Sequence, residues 1–169
     1  MRVQTHGDAA LFDLATRVGA RLAAEGSRLT TVESCTGGWI AKALTDVSGS
    51  SGWVEGGLVT YSNAAKEGLA GVSARTLAAH GAVSEPAVRE MAAGGLARTA
   101  ADRAVAVSGV AGPTGGTSEK PVGMVWLAWG RRTAGGIRIR TKLVHLAGDR
   151  EAVRRQTVVL ALEGLLVDD

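Results

Sequence analysis

Residues 28–38, RLTTVESCTGG, restrict the fold more than any other stretch of the chain. Leu29, Thr30, Thr31 and Val32 are apolar or β-branched and read as a strand. Glu33-Ser34-Cys35-Thr36 is a short polar turn. Gly37-Gly38 then opens an apolar-periodic segment, Trp39 to Leu44, which reads as a helix. Strand, tight turn and helix is the geometry that aims backbone N–H groups into a cleft, where an anion or a developing oxyanion is favoured. The glycines permit a sharp turn and close approach of a ligand to the backbone. Ser34 and Cys35 sit side by side there, and either can be a nucleophile. Equally, Ser34 or Thr36 can simply cap the helix.

The elements on either side set the fold class. Residues 9–25 carry Leu11, Leu14, Val18 and Leu22 at the spacing of one helix face, and Gly26 ends that helix. The helix after the turn runs to about Val47, followed by a loop, Gly49-Ser50-Ser51-Gly52, and a short element at Trp53-Val54-Glu55. Gly57–Tyr61 reads as a buried strand. Ser62-Asn63 ends it, and Ala64–Ala70 reads as a short helix with Lys66 in its first turn. Ser73 is the N-cap expected for Ala74–His80, and Gly81 terminates that helix. Ser84-Glu85-Pro86 opens a helix to about Ala100, in which Gly94-Gly95 suits close packing. Arg103–Ser108 is continuously apolar, as in sheets covered on both faces. Gly109–Pro121 is a Gly-rich loop long enough to point to ligand contact. Val122–Trp129 and Gly136–His145 form a hairpin joined by Arg131–Gly135, and Asp149 caps a last helix that turns Val153, Leu160 and Leu165 inward and ends near Val167. This order predicts one α/β domain over residues 1–169, a three-layer α/β/α arrangement with a mixed sheet. Ser34, Tyr61 and Ser108 all follow strands, where such folds place ligands, so one cleft is expected to hold all three.

Composition removes other classes. With 46% hydrophobic and 21% charged residues, the chain is globular rather than disordered. No apolar run approaches the ~20 residues of a membrane span, and the N-terminus lacks the pattern of a signal peptide. A single cysteine excludes an internal disulfide and a cysteine-based zinc site, so a cytoplasmic location is expected. The net charge of +3 comes from scattered basic residues. Arg138, Arg140 and Lys142 alternate on one strand face, but without stacking aromatics they read as a solvated edge rather than a phosphate-binding surface. Neither a membrane nor a nucleic acid is expected as partner.

Among the signatures of chemistry, GxGxxG opening a helix, GxxxxGK[ST] and HExxH are all absent. His6, His80 and His145 are isolated and read as structural or exposed, so no metal is expected. What remains is Ser34 at a helix start and Tyr61-Ser62-Asn63-x-x-Lys66 at a strand-to-helix turn. Arginine is the usual cation of this chain, and lysine is kept only at Lys42, Lys66, Lys120 and Lys142. A serine with a lysine is an alternative to the histidine triad for acyl transfer, provided that burial keeps the amine neutral. The competing reading has Tyr61 covering the core and Lys66 in solvent.

Five blocks weigh on that choice: TVESCTGG (31–38), GSSGWVEGGLVTYSNAAK (49–66), HGAVSEPAV (80–88), SGVAGPTGGTSEKPVG (108–123) and GDREAVR (148–154). Through them the chain resembles the CinA-like C-terminal domain family, the nicotinamide mononucleotide deamidases. Its length suits the free-standing form. The resemblance implies hydrolysis of the carboxamide of nicotinamide mononucleotide to nicotinic acid mononucleotide and ammonia, in pyridine-nucleotide recycling, without metal or organic cofactor. The family's catalytic serine, tyrosine and lysine fall on Ser34, Tyr61 and Lys66. Lys66, helped by Tyr61, would activate Ser34, and N–H groups around Cys35, Thr36, Gly37 and Gly38 would hold the oxyanion. Ser108 is expected to bind substrate, and the 5′-phosphate would draw on the Gly-rich loop, with Gly109, Gly112, Thr114 and Gly115, on Thr36 or Asn63, and on Arg154, which can act across a subunit interface in an expected homo-oligomer. Lys120 either binds substrate or pairs with Glu119. The alternative function is a nucleotide-binding or competence- and DNA-damage-linked regulatory module without turnover.

Overall fold

The computed structural model describes residues 7–167. His6 lies outside them. The elements run α1 (Asp8–Glu25), β1 (Leu29–Glu33), α2 (Trp39–Thr45), a 3-10 turn (Ser50–Gly52), β2 (Val54–Val59), α3 (Asn63–Ala70), α4 (Ala74–His80), α5 (Glu85–Arg98), β3 (Arg103–Gly109), β4 (Met124–Thr133), β5 (Gly136–His145) and α6 (Arg150–Leu165). The five strands form one mixed sheet in the order β2-β1-β3-β4-β5. The β1 strand lies parallel to β2 and β3, and the β3–β4 and β4–β5 pairs are antiparallel.

Two apolar clusters, one on each sheet face, make the layers. Leu14, Val18 and Leu22 of α1, Ile40 and Leu44 of α2, and Val158 and Leu162 of α6 pack on one face with Leu29, Val105, Val107 and Leu127. Val88, Met91 and Leu96 of α5 pack on the other with Val32, Ala104, Ala106 and Ala128, joined by Ala70 and Leu77. The α3 and α5 helices approach closely because Gly94 has no side chain: a Cβ there would overlap the Ala70 carbonyl oxygen. That contact seats α3, and with it Lys66, against the sheet. Ser73, Ser84 and Asp149 cap their helices as read from the sequence, each accepting from a backbone N–H three residues on; Ser62, read only as the end of a strand, caps α3 in the same way, whereas α2 starts at Gly38 with no side-chain cap from Ser34 or Thr36. No helix among the described residues is long and apolar enough to cross a membrane.

Three expectations change. The strand read at Gly57–Tyr61 is Val54–Val59, and it is half-exposed rather than buried, because β2 is the sheet edge and pairs only with β1. Tyr61 lies past its end, 60% exposed. The hairpin turn shrinks to Ala134-Gly135, since Arg131 and Arg132 continue the ladder opposite Arg138 and Ile137. Of the three basic residues on β5, Arg138 and Lys142 are exposed, whereas Arg140 is half-buried, stacks 4.3 Å over the Trp129 ring and donates to the Gly164 carbonyl.

Candidate functional site

The parallel strands β1, β2 and β3 end together, and the segments that leave them build one cleft of about 220 Å³. Ser34 follows β1 directly. Its N–H donates to the Val107 carbonyl of β3 at 3.1 Å, while Thr60 N–H donates to the Glu33 carbonyl at 2.8 Å. These two bonds extend the sheet by one residue and leave Ser34 between the neighbouring strand ends. Lys66 enters from α3, whose start is held by Ser62 Oγ accepting from Ala65 N–H at 3.0 Å.

Lys66 is 1% exposed, which makes it one of the largest fully buried side chains in the protein. Its Nζ lies 2.9 Å from Ser34 Oγ and 2.7 Å from the Thr60 carbonyl oxygen. Among the described residues no carboxylate is bonded to it, and burial lowers its pKa from the ordinary lysine value. A buried amine with lowered basicity, in hydrogen-bond reach of a serine, is the arrangement a general base needs. The reading that leaves Lys66 in solvent is therefore set aside. Cys35 is also buried, and burial pushes its thiol up to about 12, with the nearby Glu33 adding to the effect. At neutral pH Cys35 is a thiol, not a nucleophilic thiolate.

The turn around Ser34 is organised differently from expectation. Glu33, wholly buried, turns its carboxylate back onto the start of α2 and accepts from the N–H groups of Gly38, Ile40 and Ala41. Gly37 N–H bonds to the Ser34 carbonyl. Gly37 and Gly38 are thus withdrawn as oxyanion donors, because both N–H groups already have acceptors. Neither the Cys35 nor the Thr36 N–H is bonded to an acceptor on another described residue. The Thr36 hydroxyl is taken as well, donating to Glu33 at 2.6 Å.

Of the residues singled out from the sequence, Ser34, Cys35, Tyr61, Asn63, Lys66, Ser108 and Gly109 line the cleft. The Ser108 hydroxyl donates to the Ala82 carbonyl at 2.8 Å and so shapes the wall. Gly112, Thr114 and Gly115 do not line it, and Thr114 and Gly115 are exposed. Thr36, Gly37, Gly38 and Arg154 line a separate, more open cleft behind the turn. Arg154 donates there to the carbonyls of Cys35 and Thr36, both at 3.0 Å. Lys120 donates to the His80 carbonyl at 2.5 Å and pins the Gly-rich loop to the end of α4.

Ala82, Val83, Ala111 and Arg150 line the cleft without having been singled out. Arg150, the first residue of α6, donates to the Gly112 carbonyl at 2.7 Å and to the Tyr61 hydroxyl at 2.8 Å. It stands in the same GDREAVR block as Arg154, one helical turn earlier, and no local signal in the sequence sets the two apart. Among the described residues, no three His, Cys, Asp or Glu side chains converge as a metal site would need.

The comparisons with known proteins agree with this architecture. The family model described as the CinA C-terminal domain matches residues 11–167. A Nicotinamide-nucleotide amidohydrolase PncC from Pseudomonas putida is 54% identical over 153 residues, covering 90% of this chain and 93% of that protein. Its namesake from Escherichia coli K12 is 54% identical over 158 residues, 94% of each chain. The crystal structure of the competence/damage inducible protein CihA from Agrobacterium tumefaciens superposes with a TM-score of 0.89 at 44% identity, covering 95% of this chain and 94% of that one. With a family match over nearly the whole sequence and relatives of this identity and coverage, the chain belongs to the CinA C-terminal domain family.

Proposed function

We propose that the protein hydrolyses the carboxamide of nicotinamide mononucleotide, releasing ammonia and nicotinic acid mononucleotide. The observation that carries the reading is the buried Lys66 amine, 2.9 Å from Ser34 Oγ, at the floor of a cleft at the strand ends. The names of the relatives supply the substrate class.

The chemistry proceeds in two halves. Neutral Lys66 takes the Ser34 proton as Oγ bonds to the carboxamide carbon. The carbonyl oxygen becomes an oxyanion, and the N–H groups of Cys35 and Thr36 are the free donors beside it. Loss of one such donor typically costs ~3–4 kcal/mol in the barrier. Protonated Lys66 then gives its proton to the amide nitrogen as the C–N bond breaks and ammonia leaves. Water attacks the acyl-serine ester as Lys66 takes its proton, and Lys66 then returns that proton to Ser34 Oγ as the C–O bond breaks, leaving the free acid, the serine hydroxyl and the neutral amine. Tyr61 is held by Arg150 rather than by Lys66, so its ring serves the mouth of the cleft. Arg150, on the same rim, is the cation placed for the 5′-phosphate, since a guanidinium matches phosphate geometry. Pyridine-nucleotide recycling in the cytoplasm by a homo-oligomer is the setting that fits this activity.

The test is ammonia and nicotinic acid mononucleotide released in equal amounts from nicotinamide mononucleotide by the purified protein, with Ser34→Ala as control. Tight nucleotide binding without product, or equal turnover by Ser34→Ala, rejects the reading.

A further inference from the structure

We propose that Glu33 and Arg154 are positioning residues that clamp the nucleophile's turn from its two backbone polarities; the proposal rests on reading Ser34 as the nucleophile. Glu33 Oε2 accepts from the Thr36 hydroxyl at 2.6 Å, Gly38 N–H at 3.1 Å and Ile40 N–H at 3.0 Å, and Oε1 accepts from Ala41 N–H at 2.8 Å. All four donors come from residues 36–41, the segment that follows Ser34. A buried carboxylate needs such donors, and here they tie the residue before the nucleophile to the helix after it. The N–H groups at the start of α2, which a helix ordinarily leaves open, are consumed in this way.

Arg154 acts on the carbonyls. Its Nε and Nη2 hold the oxygens of Cys35 and Thr36, and its guanidinium lies 5.6 Å from the Trp39 ring centre. In a trans peptide the carbonyl and the next N–H point in opposite directions. Holding the Cys35 oxygen toward α6 therefore turns Thr36 N–H away from Arg154. Holding the Thr36 oxygen does the same for Gly37 N–H, which indeed reaches back to the Ser34 carbonyl at 3.0 Å. The anion grips the donors, the cation grips the acceptors, and the N–H groups of Cys35 and Thr36 are left over for substrate. Arg154 thereby acts through the turn rather than on the phosphate.

The experiment compares the full-length parent with Glu33→Gln, Arg154→Met and the double variant. In Glu33→Gln an amide NH2 must face one of the backbone donors that the carboxylate accepts. The expected result in each single variant is a kcat lowered about 10–100-fold with KM within about threefold, the effect of a small misplacement of reacting groups. The pH midpoint of kcat/KM stays in place, because the Lys66 surroundings are untouched. The double variant loses far less than the product of the singles, since both act on one turn. Hydrogen exchange of the peptide covering 34–41 accelerates about tenfold or more in either variant. A folded Glu33→Gln with kcat within twofold of the parent, unchanged exchange at 34–41, or an Arg154→Met that raises KM and keeps kcat overturns the proposal. Should Glu33→Gln fail to fold, Arg154→Met, at a half-buried position on α6, decides by the same readouts. A parent that releases no ammonia would defeat the functional reading alone; the exchange measurement tests the clamp without turnover.

Discussion

Replacing Lys66 by methionine keeps a buried, unbranched apolar stem of nearly the same length and removes the amine. Two hydrogen bonds vanish, to Ser34 Oγ and to the Thr60 carbonyl, each worth about 0.5–1.5 kcal/mol net. Against that loss stands the relief of an amine whose charged form is disfavoured by burial. The two effects oppose each other, so the diagnostic is the pH dependence of stability rather than its value at one pH. In the unfolded chain the amine titrates near its ordinary value, and in the fold it titrates lower. Between those two values the unfolded state carries a proton that the native state lacks, so the parent gains stability as pH rises, at most about 1.4 kcal/mol per pH unit. Below the lowered value and above the ordinary one the curve is flat for this group. Lys66→Met lacks the climb. Urea melts of both proteins across alkaline pH measure the difference, and in a chain of this size 1 kcal/mol corresponds to a midpoint shift of about 2–4 °C on heating. Activity supplies the second readout. Loss of a general base typically removes 10²–10⁴ in rate, or about 2.7–5.5 kcal/mol of barrier. In the parent, kcat/KM rises with pH as Lys66 loses its proton and then levels. A Lys66→Met enzyme within tenfold of the parent, or parallel stability curves for the two proteins, would refute the assignment of Lys66 as a buried, neutral base.

Three other outcomes are expected. Ser34→Ala abolishes ammonia release, whereas Cys35→Ala keeps most of it, because the Cys35 thiol stays protonated at neutral pH; steady-state assays of the two reverse the assignment if the pattern inverts. Arg150→Ala raises KM for nicotinamide mononucleotide by about 10-fold or more but leaves the phosphate-free nucleoside unaffected, since a charge-assisted bond to phosphate is worth roughly 1.5–3 kcal/mol; equal effects on both substrates would assign Arg150 to holding Tyr61 and the Gly112 loop instead. Gly94→Ala destabilises by about 1–3 kcal/mol or more, read as the shift in urea midpoint, because its methyl would overlap the Ala70 carbonyl and drive α3 from α5; an unshifted midpoint would show that the helices part freely.

Much of this protein is decided locally. Hydrophobic spacing and cap residues place the helices within a few residues of where they lie, because Ser62, Ser73, Ser84 and Asp149 act on N–H groups three positions away. The continuous apolar run at 103–108 marks a strand covered on both faces, for burial on two sides leaves no place for polar alternation. Ser34, Tyr61 and Lys66 were legible as candidates from residue type and turn position. Their geometry was not. The 2.9 Å between Lys66 Nζ and Ser34 Oγ spans 32 residues of chain and exists because α3 packs on α5 at Gly94 while β1 pairs with β3. The edge position of β2, which leaves Tyr61 exposed, follows from strand order, and no local propensity encodes strand order. Arg150 and Arg154 stand one turn apart on α6, yet one faces the cleft and the other grips the back of the turn. Sequence periodicity tells that a helix has faces; only the packing of α6 against β3, β4, α1 and α2 assigns each face its neighbour, because contacts between distant segments depend on how the whole core closes.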